Sequence, residues 1–518
     1  MARQKIWKDL PDESTPITSK DLQYYDDSIN ALEEENKQKD IDIQDLKTKD
    51  IEHDNKIVNI EKRLDIIEDY DMIGVRWVCD SEFNQQSNPV GQRFIQRNGL
   101  IEYDTKFTVN IGTDGQLVKN DFDNIEPWKS MKTVFDKYGN QFVRIPKCYI
   151  RHWYSTENNI NYLNWAISMK PLDKFIVDQS FYNPITKGYN EQFYYASYPT
   201  SNAGDNTPQS KGNETIPWTS ITRTNMRLFT KKLGTSYHLI TMDNWNLINT
   251  LFVIEHATLN WQTKFKGVTE LYSYTNKHRP VINEENTNRV ILPNSQADTY
   301  SILQLFEIGT AQGSRNVARE RKIISIEKYD DNNKQIIFDG TPVNVLTTYY
   351  AYGIFLPNGL TKKCVSSNSY NISNNGKNSF IYRGIENFFG NVWEFIDGIN
   401  IRNYVPYVCD DYTKFNDVFV EPYFQLNMEV AKTEGYVKKM YLDEAKPHLK
   451  LPTLVGGSTV TYYSDYYYVS AGDKCALFSG AWNNGSDAGG FRLYLYGSLA
   501  YSGIDVGSRL SAQYLEVL

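Results

Sequence analysis

Gly390-Asn391-Val392-Trp393-Glu394-Phe395 is the stretch on which the fold turns, because its pattern returns as Gly456-Gly457-Ser458 and as Gly480-Ala481-Trp482-Asn483-Asn484-Gly485. The series closes on Gly489-Gly490-Phe491-Arg492. An indole between glycines and small polar residues fits a place where backbone segments cross closely over a large flat side chain. Glycine allows the approach and the unusual φ angles, and tryptophan brings buried area with one N–H to satisfy. The recurrence predicts a core held by loops rather than by long regular elements.

Just upstream, Tyr382-Arg383-Gly384-Ile385-Glu386-Asn387 runs into this stretch, and Gly507-Ser508-Arg509-Leu510 stands near the end of the sequence. In this order the pieces resemble the C-type lectin-like fold of the formylglycine-generating-enzyme branch. The likeness is greatest to phage and bacterial proteins whose tips are varied by diversity-generating retroelements. The resemblance implies an α+β chain with a large, elaborated C-type lectin-like domain, in which Gly390, Asn391, Trp393, Glu394, Gly456, Gly457, Trp482 and Arg492 are structural motif residues. The formylglycine-generating enzymes work through a pair of nearby C-terminal cysteines that bind copper. Here Cys475 stands alone, with Cys409 far upstream, so that activity is not carried over.

The 518 residues are enough for two to four domains and a sizeable core. A formal net charge of -8 argues against an electrostatic nucleic-acid binder, which needs a basic surface. The 38 tyrosines fit either a large β-rich core or a contact surface, where Tyr gives area at low entropy cost. Five cysteines, odd in number and without Cys-x-x-Cys spacing, read as reduced thiols of a protein made in a host cytoplasm. No apolar run of membrane-spanning length and no apolar signal core occur in the sequence, so no membrane insertion is expected, and export is expected by lysis or assembly.

Residues 1–20 are polar, and Thr15-Pro16-Ile17-Thr18 precedes Ser19 and Asp21, either able to cap a helix. The opening resembles phage baseplate and tail-fibre N-termini and is expected to be a virion attachment peptide. Over 21–69 a heptad pattern places Leu22, Tyr25, Ile29, Leu32, Asn36, Lys39, Ile43, Leu46, Asp50, His53, Ile57, Ile60, Leu64 and Ile67 at successive a and d positions, with no Pro or Gly between. This is the pattern of a parallel coiled-coil stalk, about 70 Å long at about 1.5 Å per residue. Ile at d with Ile or Leu at a near its end points to a homotrimer ahead of a dimer.

After Tyr70 the period changes to that of strands: 70–140 reads as a β-rich approach and 141–518 as the head, with insertions at about 264–375 and 401–450. Strands are expected at 142–149, 165–168, 193–198, 321–327 and 335–339. Helices are expected from Thr222 to the Gly234 stop, and again after a cap at Asp243, with Trp245, Ile248, Leu251, Phe252 and Glu255 at helical spacing. Asn120-Asp121-Phe122-Asp123 before Trp128 reads as a turn with a packing indole rather than a metal loop.

The sequence contains no His-Glu-x-x-His pair, nucleophile elbow or Walker loop. Glu394 is expected to form structural hydrogen bonds rather than act with Asp397 as an acid/base pair. No catalytic residue, cofactor or metal is assigned. The functional signal lies in Tyr462, Tyr463, Asp465, Tyr466, Tyr467 and Tyr468, then Asn483, Asn484 and Asp487, then Tyr494 and Tyr496. Rings give rigid area, and hydroxyls and amides give hydrogen bonds. In the resembled family these are also residue types that adenine-directed variation produces from Asn codons. The alternation at 493–496 equally fits a half-buried strand with Leu493 and Leu495 inward.

The expected function is that of a phage virion fibre or receptor-binding protein. A trimeric head would adhere to a bacterial surface polysaccharide or protein, and the N-terminus would join other virion proteins. A structural fibre or baseplate component docking another virion protein is the alternative, and a surface-glycan-degrading enzyme a weaker one.

Overall fold

The computed structural model describes residues 18–68, 70–80, 82, 90–103, 106–271, 277–366, 368–371 and 373–516, without the side chains of 21 and 54–68. The expected attachment peptide lies outside these residues apart from positions 18–20. The chain is α+β and forms two compact units, Met1–Asp69 and Tyr70–Leu518.

The first unit is a single helix, Ser19–Glu68, of 50 residues, which would extend about 75 Å. Charged pairs one turn apart line its surface, Lys37 with Glu34 at 2.8 Å and Lys39 with Glu35 at 2.5 Å. Such pairs contribute only tenths of a kcal/mol each, about 0.2–0.5. Leu22, Ile29, Ile43 and Leu46 of the heptad pattern are 40–63% exposed, so burial within this chain does not account for a helix of this length.

The second unit is built from sheets. In a six-stranded sheet, Met72–Cys79 lies between Gln92–Arg97 and Ile160–Ser168, with Val75 opposite Trp165. Residues on either side of position 140 therefore share one sheet. The strand expected over 142–149 is two, Gln141–Pro146 and Tyr149–Glu157, divided after a proline that has no N–H to continue a ladder. A five-stranded sheet sets Leu510–Ala512 between Tyr237–Leu239 and Gln192–Ala196, tying the end of the sequence to strands hundreds of residues earlier.

The helix Arg223–Thr230 starts at Thr222, whose side chain accepts from the Asn225 N–H, and a 3-10 turn carries it to Gly234 at φ 131°. The helix Met242–His256 is buried along nearly all of its length. Its cap is Thr241, not Asp243: Thr241 and Asn244 form a reciprocal capping box. Asn120 caps the short turn Asp121–Asn124, and Phe122 meets Trp128 edge-on at 4.7 Å. Residues 289–353 hold a five-stranded sheet with its own core of Val290, Phe306, Ile323, Ile336 and Phe338, within the same unit.

The largest sheet has nine strands. In spatial order they include Val405–Val408, Trp393–Arg402, Asp473–Ser479, Gly489–Leu495, Tyr466–Val469, Gly435–Met440 and Pro452–Val455. The segment expected as a second insertion, 401–450, thus supplies strands to the main sheet. Its Tyr412 and Tyr423 pack inside with Cys409 and Phe415.

The close crossings expected at the glycines are present. A Cβ on Gly490 would lie 2.1 Å from the Trp261 indole nitrogen, while the Gly490 carbonyl accepts from Trp245 Nε1 and Asn249 Nδ2. Gly390, at φ 75°, leaves no room for a side chain against the Val268 carbonyl, 2.6 Å from its ideal Cβ. The indole under Gly490 is Trp261, which the motif reading did not include.

Candidate ligand-binding site

The site begins with a strand pairing. Tyr466–Val469 runs parallel to Gly489–Leu495, with Tyr467 opposite Leu493, Tyr468 opposite Tyr494 and Val469 opposite Leu495. Side chains alternate across a pleat, so Tyr467, Leu493 and Leu495 point into the core. Tyr466, Tyr468, Arg492, Tyr494 and Tyr496 share the other face. This is the alternation expected at 493–496.

The rings on that face form a continuous series. Centroids are 5.1 Å apart for Tyr436 and Tyr466, 4.8 Å for Tyr466 and Tyr468, 5.8 Å for Tyr468 and Tyr494, and 5.9 Å for Tyr494 and Tyr496. Trp393 meets Tyr494 at 5.3 Å, and Tyr501 stacks on Tyr494 at 5.7 Å. Among them opens a cavity of about 190 Å³, lined by Trp393, Tyr468, Leu477, Asn484, Arg492, Tyr494, Tyr501 and Asp505.

Arg492 gives the cavity its chemistry. It is 1% exposed, and its guanidinium lies 4.7 Å from the Trp393 ring centroid and 5.3 Å from that of Tyr468. Its Nε and Nη1 are buried without a hydrogen-bond partner. A buried donor left unmade costs about 1–3 kcal/mol, and more when charged; a desolvated cation–π contact returns about 2 kcal/mol. The rings therefore stabilise the cation without satisfying its N–H groups. Burial lowers the Arg492 pKa, with Asp487 as the largest opposing influence. Burial likewise raises the carboxyl of Asp505.

The loop beside the cavity is held from several sides. Asn484 Oδ1 accepts from the Ala481 N–H at 2.7 Å, and Gln262 donates to the carbonyls of Gly485 and Ala488. Tyr436 donates its hydroxyl to Asp487; burial first and then Asp487 push that phenol up to about 12.

Of the residues expected to contact a receptor, Tyr468, Asn484 and Tyr494 line the cavity. Tyr466, Asp487 and Tyr496 lie on the surrounding surface, Asn483 is exposed, and Tyr462 is half-buried beneath Lys438. Tyr463, Asp465 and Tyr467 are corrected to packing roles. Tyr463 meets Phe491 edge-on at 5.2 Å, Asp465 accepts from the Phe491 N–H at 2.7 Å, and the Tyr467 hydroxyl donates to the Ala431 carbonyl. Reading 462–468 as one exposed run ignored the alternation that buries every second ring.

The motif residues divide as well. Asn391 exchanges two hydrogen bonds with the Leu356 backbone, Trp482 packs on Phe355, and Gly456 and Gly457 both donate to the Tyr436 carbonyl. Glu394 pairs with Arg509 at 2.7 Å, both side chains fully buried, which is the structural role expected of it. Asp397 pairs instead with Arg227. Trp393 and Arg492, however, line the cavity. The strand alternation that turns Tyr494 and Tyr496 outward extends back to Arg492, a signal present in the sequence. Tyr501 and Asp505 arrive through a loop that no periodicity marks.

Burial pushes the thiols of Cys409 and Cys475 up to about 11. Among the described residues no group of three or more His, Cys, Asp or Glu side chains is placed to hold a metal ion. Rigid rings around a polar floor can bind a ligand by stacking and hydrogen bonding. No family model matches the sequence, and no curated protein does so either.

Proposed function

We propose that this chain is the receptor-binding fibre of a phage virion, with a C-type lectin-like head that adheres to a bacterial surface molecule. The carrying observation is the cavity among Trp393, Tyr468, Tyr494 and Tyr501, with the unpaired Arg492 in its wall. Aromatic faces stack on apolar ring faces at low entropy cost, and the polar groups set orientation. The motif order from Gly390 to Arg492 supports the lectin-like reading.

The 50-residue helix with its exposed heptad positions supports a parallel trimeric coiled-coil stalk, whose N-terminal peptide joins other virion proteins. Three heads on one stalk bind a repetitive surface with an avidity that can exceed single-site affinity by about 10²–10⁴. The test is adsorption of the purified full chain to intact host cells beside a Tyr468→Ala/Tyr494→Ala variant. Loss of adsorption by a folded variant supports the reading. Unchanged adsorption places the receptor site elsewhere, and no adsorption by the unaltered chain favours the structural virion component.

A further inference from the structure

We infer that the cavity selects a ligand bearing a compact oxyanion, a carboxylate or phosphate, on a single sugar or polyol unit, with Arg492 as its counter-charge. This rests on the adhesin reading for the ligand's surface origin, while the chemistry comes from the cavity itself.

A guanidinium is planar, remains charged at physiological pH and offers five donors in a fork matched to carboxylate and phosphate. In Arg492 the flat faces are used, against Trp393 and Tyr468, but the edges are not. No described residue accepts a hydrogen bond from this side chain, and no described carboxylate lies within 4.0 Å of it. The two acids that influence it from nearby are engaged elsewhere: Asp465 with the Phe491 N–H and Asp487 with the Tyr436 hydroxyl. Two other buried arginines of the second unit are paired with carboxylates. Arg509 binds Glu394 and four backbone carbonyls, and Arg383 binds Glu255 and Asp123. Of these three, Arg492 is the one that lines the cavity, with Nε and Nη1 unbonded.

A neutral sugar would supply hydroxyl acceptors but would leave the buried charge uncompensated. An anion satisfies both requirements with charge-assisted bonds, about twice as strong as neutral ones. Asp505 also lines the cavity. Burial raises its carboxyl, which weakens its opposition to a neighbouring oxyanion. The Asn484 amide nitrogen is left to donate once its oxygen has capped the loop. The volume of about 190 Å³ falls below the roughly 300–1,000 Å³ of sites for drug-sized ligands, so one unit of a longer polymer is the fitting occupant.

The experiment measures binding of the full chain to three immobilised polymers: a hexuronic-acid polymer, a poly(glycerol phosphate) and a neutral glucan. At least a tenfold preference for one acidic polymer over the glucan is expected, and which acidic polymer is preferred distinguishes the carboxylate from the phosphate source. Arg492→Gln should abolish that preference while retaining the melting transition. Should that variant not fold, Tyr501→Ala, which removes a cavity wall, should weaken binding of the preferred acidic polymer at least fivefold. Equal binding of all three polymers, or an acidic preference that survives Arg492→Gln, overturns the inference. Host-cell adsorption by a chain that does not discriminate among the polymers would overturn it alone. Acidic preference without cell adsorption would retain it and overturn the adhesin reading.

Discussion

Glu255 shows how single residues hold the head together. Buried on the long core helix, it accepts from Asn120 at 2.7 Å, Asn368 at 2.6 Å, Tyr382 at 2.9 Å and Arg383 at 2.6 Å. Burial pushes its carboxyl up, but Arg383 and the other donors prevail and hold it at about 2. The folded chain therefore binds fewer protons than the unfolded one between the usual glutamate range and pH 2. The stabilisation is complete above about pH 4.5 and disappears as pH falls toward 2. Glu255→Ala leaves Arg383 buried without its main partner and is expected to cost about 3–5 kcal/mol in denaturant melts. Lys450 behaves in the opposite sense. Burial lowers it from the ordinary 10.5 to about 7, and its nitrogen has no hydrogen-bond partner. Between pH 7 and 10.5 the unfolded chain holds the extra proton, so stability rises with pH across that window. Lys450→Met should raise the melting temperature, by more at pH 7 than at pH 10. Neither role was legible in the sequence: Glu255 read as one more position at helical spacing, and its partners come from distant segments.

The Gly489–Leu495 strand carries the proposed binding face on one side and the core on the other. Leu495→Ala should cost about 2–5 kcal/mol, whereas Tyr496→Ser, at a position 50% exposed, should stay within about 0.5 kcal/mol; thermal or urea unfolding of both variants checks the contrast. Thr241→Ala, which removes one side of the capping box, should cost about 1 kcal/mol by the same measurement. Elements with a strong local signal were readable. Thr222 and the Gly234 stop marked one helix, Trp245 to Glu255 another, and Leu493 to Tyr496 gave the correct faces. The pairing was not readable. Tyr468 meets Tyr494 through a parallel register, and parallel neighbours need a long connection that leaves no short-range trace. The register turns two separate Tyr clusters into one face and brings Trp393 and Arg492 to it.

At the scale of the whole molecule, a long helix and a β-rich head are separate compact units, and function is proposed to come from repeating the head on a shared stalk. The long helix was legible because its apolar pattern is local and uninterrupted. The head was legible only in outline, since its sheets join strands from residue 72 to residue 512. Removing 21–69 should leave the head's melting transition in place, reduce the oligomeric mass and weaken adsorption by a factor within about 10²–10⁴. The most direct test of the central claim is adsorption of the full chain to host cells, measured beside Tyr468→Ala/Tyr494→Ala with both proteins shown to be folded and of equal mass. Loss of at least nine-tenths of adsorption in the variant is the expected result. Equal adsorption by the two proteins would contradict a receptor site on this face.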